Sequence, residues 1–167
     1  MKRSFVLGIV CACLVGFLGG SQVFAGGGKL GLEGTLGKSS MGVVWYEDAY
    51  AGGVFFGQGQ DQTSTIQSST TTVGLWAALR HRLDTKLFFN YGINTYLKSG
   101  TYKGMDLETF GLSPFVGFEY EATPHFLLTA WCNLYDYNTT KMTSGSVSSS
   151  FTSTSIFQSY AGITYLF

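Results

Sequence analysis

An all-β fold, an eight-stranded antiparallel up-and-down transmembrane β-barrel, is predicted by three features of this sequence. Eight stretches alternate apolar with small or polar residues at period two. The connections between them alternate between short and long. Finally, only 12% of the residues are charged, about half of what a water-soluble domain carries. Mean hydropathy is slightly positive, yet past the N-terminus no run approaches the ~18 consecutive apolar residues of a membrane helix. Apolar character spread thinly over many short segments is the signature of membrane strands.

The first segment stands apart. Lys2 and Arg3 precede an apolar run from Phe5 to Leu18, and Val23-Phe24-Ala25 puts small residues at −3 and −1 of a cut before Gly26. This is the layout of a cleaved secretory signal, residues 1–25. The run is shorter than the ~20 residues an anchor needs and holds Gly8 and Gly16. Val10-Cys11-Ala12-Cys13 loosely resembles a lipoprotein processing site, but a cut there would leave Leu14 to Leu18 on the mature chain. Removing residues 1–25 from the 167 leaves 142, one domain spanning 26–167. Lys2 and Arg3 go with the signal, so eight basic residues face ten acidic ones, a net charge of −2. No basic patch survives, and nucleic acid is not an expected partner. Cys132 is then the sole cysteine, so no internal disulfide forms. Gly26-Gly27-Gly28 reads as a flexible stub.

Strands 1 to 3, Leu30 to Leu36, Met41 to Tyr46 and Tyr50 to Gly57, are short and weakly patterned. Strand 4 sets Val73, Leu75, Ala77 and Leu79 outward and Gly74, Trp76, Ala78, Arg80 and Arg82 inward. Strand 5 sets Leu87, Phe89, Tyr91, Ile93 and Leu97 against Phe88, Asn90, Gly92, Asn94 and Tyr96. Strand 6 opposes Phe110, Leu112, Pro114, Val116, Phe118 and Tyr120 to Thr109, Gly111, Ser113, Phe115, Gly117 and Glu119. In strand 7, Phe126, Leu128, Ala130, Cys132 and Leu134 face out, and Thr129, Trp131, Asn133 and Tyr135 face in. Strand 8 places Phe157, Ser159, Ala161, Ile163, Tyr165 and Phe167 outward, with Ile156, Gln158, Tyr160, Gly162, Thr164 and Leu166 inward.

Glu47-Asp48, Arg82 to Thr85 and Glu121 to His125 are tight turns. Gln58 to Thr71, Ser99 to Asp106 and Asn138 to Ser153 are longer and rich in Ser, Thr and Gly; only the first such connection, Gly37 to Ser40, is brief. Short turns at one end and long loops at the other are the pattern of outer-membrane barrels. The long segments read either as disordered loops or as strands 3–4 and 7–8 continuing past the membrane as a polar ribbon.

In hydrocarbon every backbone N–H and C=O must pair internally, so the sheet has to close and leave no edge. Gly31, Gly53, Gly74, Gly92, Gly111, Gly117 and Gly162 fall on inward faces, as a narrow lumen requires. Trp45, Tyr50, Tyr120, Phe126, Tyr165 and Phe167 gather outward at the short-turn end, the expected periplasmic aromatic girdle.

The terminal Tyr165-Leu166-Phe167, preceded by alternate apolar residues from Phe157, resembles the C-terminal strand signal of outer-membrane barrels. Ser113-Pro114-Phe115-Val116-Gly117-Phe118 is similar to a strand of small members of that group. In architecture the mature chain resembles the OmpA-transmembrane and OmpX type of outer membrane β-barrel domain. The resemblance implies location in the outer membrane of a Gram-negative cell, contact with its lipid and lipopolysaccharide, a monomer, and the barrel assembly machinery as reader of the last strand.

The inward charges are the best candidates for a site. Glu33, Arg80, Arg82 and Glu119 are expected to form an ion-pair network in the lumen, with Arg80 on Glu33 or Glu119, because unpaired buried charge is costly. Some similar eight-stranded proteins are lipid A acyl-modifying enzymes whose sites join His to Ser or Asp near the outer leaflet. Here His81 and His125 both lie beside short turns, and a Ser without a base is not an activated nucleophile. No catalytic residue, metal site or cofactor is therefore expected, and two His alone are a weak metal signal. Cys132 reads as a small lipid-facing hydrophobe.

The resulting expectation is a non-enzymatic envelope or surface-interaction barrel working through Gln58–Thr71 and Asn138–Ser153. A narrow pore for small solutes is the alternative, opposed by inward Phe55, Trp76, Phe88, Phe115 and Trp131, whose rings would block it. A soluble periplasmic barrel with an apolar ligand is a distant third.

Overall fold

A computed structural model describes residues 28–36, 40–63 and 66–167. The expected signal segment 1–25, and most of the glycine stub after it, lie outside them. Eight strands follow in order: β1 (Lys29–Leu36), β2 (Ser40–Tyr46), β3 (Tyr50–Thr63), β4 (Ile66–Arg82), β5 (Leu87–Tyr102), β6 (Met105–Thr123), β7 (Phe126–Ser144) and β8 (Val147–Leu166). Each pairs antiparallel with its neighbours, and β1 pairs with β8 from Gly31↔Leu166 to Leu36↔Ala161, so the sheet closes on itself. Closure satisfies the backbone without water, the condition for crossing a bilayer with strands.

The alternation sets the faces. Leu32, Phe56, Leu75, Ile93, Phe118 and Leu128 all point outward and are exposed. Together with their neighbours they make an apolar belt far larger than the few hundred Å² a soluble monomer exposes. Inward at the short-turn end, Val44, Tyr46, Ala51, Leu127 and Leu166 are buried against one another, with Trp76 packed on them. This apolar floor was not anticipated from the inward Gly, Asn and Thr of the longer strands. It draws on the weakly patterned β2 and β3, on the first inward position of β7 and on the last of β8.

The strands are unequal. β1 and β2 have 8 and 7 residues, whereas β6, β7 and β8 have 19, 19 and 20. A span needs ~9–11 residues, so the later strands run on for roughly as far again. The Ser/Thr-rich segments are therefore strand, in the β5–β6 pair as well as in the two pairs for which a ribbon was considered. Two-residue turns end two of these hairpins. Lys103 and Gly104 both have positive φ (52° and 75°), and Gly145 has φ 59° ahead of Ser146. Such turns match the right-handed strand twist.

One irregularity changes the faces. Leu112 pairs with Tyr137 but Phe115 with Asn133, so β7 carries one residue more than β6. The regular β7–β8 ladder is interrupted at the same level, between Asn133↔Gln158 and Tyr135↔Ile156. There Phe157 takes a positive φ of 55°. Past this bulge the inward phase shifts by one. Tyr135 and Ile156, expected to face in, are exposed, and Asp136 turns into the lumen and is buried.

Candidate functional site

The lumen holds a cavity of about 790 Å³ that reaches from Glu33, Tyr46 and Glu119 up to Gly59, Tyr102 and Leu107. The inward rings line this space instead of filling it, and the register supplies the reason. Five of the inward rings stand directly across from a glycine: Trp76 from Gly53, Phe55 from Gly74, Phe115 from Gly92, Tyr96 from Gly111 and Trp131 from Gly117. A Cβ on Gly74 would fall 2.2 Å from Phe55 Cζ, and one on Gly111 2.2 Å from Tyr96 Cζ. The missing side chains let the rings lie along the wall instead of across the channel.

At the bottom of the cavity, Arg80 on β4 meets Glu119 on β6. Its Nε and Nη2 lie 2.9 and 2.8 Å from Glu119 Oε2, and both side chains are less than a tenth exposed. Nη1 donates to the Glu47 carbonyl. The guanidinium stacks over Phe88 at 4.1 Å and Tyr46 at 5.0 Å. Of the two partners considered for Arg80, the geometry selects Glu119.

The other two charges lie apart. Glu33 Oε2 accepts long hydrogen bonds from Tyr46 Oη (3.4 Å) and Thr164 Oγ1 (3.3 Å), and it pairs with no cation among the described residues. Arg82 pairs with neither lumen carboxylate, although its guanidinium lies over the Phe88 ring at 4.9 Å. It lies at the rim, half-exposed, 3.5 Å from the exposed Asp48. The strand ends at Arg82, so the inward parity carries its side chain past the floor into solvent.

Above the floor is a polar cluster that sequence parity missed. Asp136 accepts from Ser113 Oγ, from Tyr96 Oη (3.3 Å) and from Asn138 Nδ2 (3.2 Å). Tyr96 Oη also donates to Asn138. Asn94 Nδ2 donates to Asn133 Oδ1 at 3.0 Å, and Tyr160 Oη to Gln158 Oε1 at 2.6 Å. Asp136 went unnoticed because strict alternation across the bulge puts it outside. The only warning signal was a charge among residues assigned to lipid.

The six aromatics expected at the short-turn end lie there. Trp45 packs edge-on against Tyr50 at 4.9 Å, Tyr165 against Phe126 at 5.1 Å and against Phe167 at 5.6 Å, and Tyr120 is exposed outward. Phe89, which packs on Phe118 at 5.4 Å, extends the set. His125 Nδ1 is 3.0 Å from the Leu166 carbonyl, and His81 is exposed at the end of β4. Among the described residues no group of three His, Cys, Asp or Glu side chains could hold a metal. Cys132 lies on the outer wall beside Val116 and Ser159.

No family model and no curated protein matches the sequence. Solved structures do match the fold. A major outer membrane protein of Thermus thermophilus superposes with a TM-score of 0.51 at 14% identity, over 84% of this chain and 99% of that one. Neisserial surface protein A gives 0.52 at 14% identity, over 84% and 93%. With its ring of eight antiparallel strands, the chain has the fold of the small outer-membrane β-barrel proteins.

Proposed function

We propose that this is a non-enzymatic integral outer-membrane barrel whose working surface is the polar wall standing above the bilayer. The observation that carries the reading is the mismatch in strand length. β8 pairs with β1 only as far as Ala161, and β3 with β2 only as far as Gly57. Beyond those points the outer edge of β8, down to Val147, and that of β3 lack a neighbour among the described residues. An unpaired edge presents a row of N–H and C=O groups to any extended segment that reaches it. The Ser- and Thr-rich faces beside it, Ser148 to Thr154 and Ser68 to Thr72, suit hydrogen bonding to proteins or to lipopolysaccharide sugars. Below them, the apolar belt and the short-turn aromatics would seat the barrel in lipid as a monomer. The last strand, ending Tyr165-Leu166-Phe167, would be read by the assembly machinery.

The register also gives the test. Gly57 pairs with Thr72 and Tyr137 with Thr154, so each ribbon can be replaced by a two-residue turn between those residues. Cells displaying the trimmed chain should still insert it but lose the adhesion or detergent resistance that the full chain confers. Equal behaviour of the two would overturn the proposal.

The cavity favours a second reading, a narrow pore, over the plugged lumen expected from sequence. The buried floor of Val44, Tyr46, Leu127 and Leu166 with the Arg80–Glu119 pair opposes it, since a pore needs a continuous water path. Steady single-channel conductance would reverse that preference. A soluble barrel with an apolar ligand is opposed by the polar lumen and the apolar exterior.

A further inference from the structure

Among the described residues, the base of the cavity holds a carboxyl group without a cationic partner and two buried polar atoms without hydrogen bonds. Glu33 has no cationic partner among the described residues, and both of its hydrogen bonds fall on Oε2, leaving Oε1 without one. Arg80 is already engaged by Glu119, the Glu47 carbonyl and two rings. Asn90 Oδ1 and Thr129 Oγ1 lie in side chains more than nine-tenths buried, line the same cavity and have no hydrogen-bond partner among the described residues. Lys98, the one basic residue among those described that line the cavity, is eight residues along β5 from Asn90, roughly 25 Å of strand. It stands near the mouth and does not neutralise the base.

Aromatic faces adjoin this base. Tyr46 donates to Glu33 and packs on Trp76 (6.1 Å between centroids), which in turn packs on Phe115 (6.3 Å). A carboxylate lacking its cation beside ring faces is the arrangement that recognises organic ammonium groups. The upper cluster makes a contrast: Asp136 is satisfied by three protein donors and offers no vacancy of this kind.

We propose that the lumen is a binding pocket for small organic cations, open to the outside, with an ammonium group seated on Glu33 against Tyr46 and Trp76. The ammonium would donate to Glu33 Oε1 and Asn90 Oδ1, which accept no hydrogen bond from the described residues, and the hydrocarbon part would lie along the rings of the wall. The Arg80–Glu119 floor ends the site below, so the ligand is held and not passed through.

The folded barrel in detergent, titrated with n-butylammonium chloride and followed by calorimetry and by the fluorescence of Trp76 and Trp131, tests this. Butylammonium should saturate, with at least tenfold preference over neutral n-butanol and over butyrate. Glu33→Gln should weaken butylammonium binding at least tenfold, while Asp48→Asn, an equal loss of charge on the exterior rim, should leave it unchanged. Equal binding of butylammonium and butanol, preference for butyrate, no saturable binding, or a Glu33→Gln variant within twofold of the parent would each overturn the proposal. The comparison of probes on the parent protein decides the matter even if Glu33→Gln does not fold.

Discussion

Replacing Arg80 by Met is expected to produce the largest loss of stability of any single substitution in the lumen. The guanidinium makes two contacts of 2.8–2.9 Å to Glu119, and the Glu119 side chain is only 3% exposed. Without Arg80 that carboxylate remains buried with no compensating charge, which costs about 3–5 kcal/mol. Loss of the stacking on Phe88 and Tyr46 adds to this. With a urea slope of about 2 kcal/mol per molar, the unfolding midpoint in detergent micelles or vesicles should fall by about 2 M. Glu119→Gln should also destabilise, because it leaves the guanidinium unneutralised. The double variant, however, removes both charges together and should be less damaged than the sum of the two, with a coupling of about 1.5 kcal/mol or more. Additivity within about 0.5 kcal/mol would refute the inference that the pair holds the floor closed.

Three further outcomes follow from the geometry. Asp136→Ala should cost about 1–3 kcal/mol, since it strands the Ser113 hydroxyl and the Asn138 amide while Tyr96 keeps only its Asn138 acceptor; Asp136→Asn, measured in the same urea titration, should recover part of that loss. Gly111→Leu should drive the Tyr96 ring off the wall, lowering stability by about 1–3 kcal/mol, and Tyr96→Ala in the same chain should restore part of it. Phe167→Ala removes a ring exposed on the outer surface, so refolding stability in vitro should change by less than about 1 kcal/mol. The amount assembled in cells should nevertheless drop severalfold, as measured in outer-membrane fractions, if the terminal strand is read by the assembly machinery.

Strand number, order and most facing were legible in the sequence because a barrel wall has two unlike sides, and period two records both. Legibility failed where that period breaks. The extra residue at the Leu134–Asp136 level moves Tyr135 outward and Asp136 inward, and no local composition marks a bulge. The Ser/Thr-rich segments were ambiguous because beyond the apolar belt these strands carry polar residues on both faces, so polarity no longer alternates. Arg80, Glu119 and Glu33 could be placed in the lumen from parity, but Arg82 shares that parity and ends in solvent, because parity carries no information on height. The open lumen was hidden for a different reason. Inward rings and inward glycines are each visible in the chain, but only the register shows that Phe55 faces Gly74 and Tyr96 faces Gly111.

The apolar outer face of the closed sheet is expected to meet lipid. Electrophoresis of isolated outer-membrane fractions in SDS, with and without boiling, tests it most directly. A folded lipid-spanning barrel resists cold SDS, so the unboiled protein should be found in the membrane fraction and shift its mobility when heated. A protein recovered from the soluble periplasm, with identical mobility in both lanes, would contradict the account and mean that something other than lipid covers the apolar outer face.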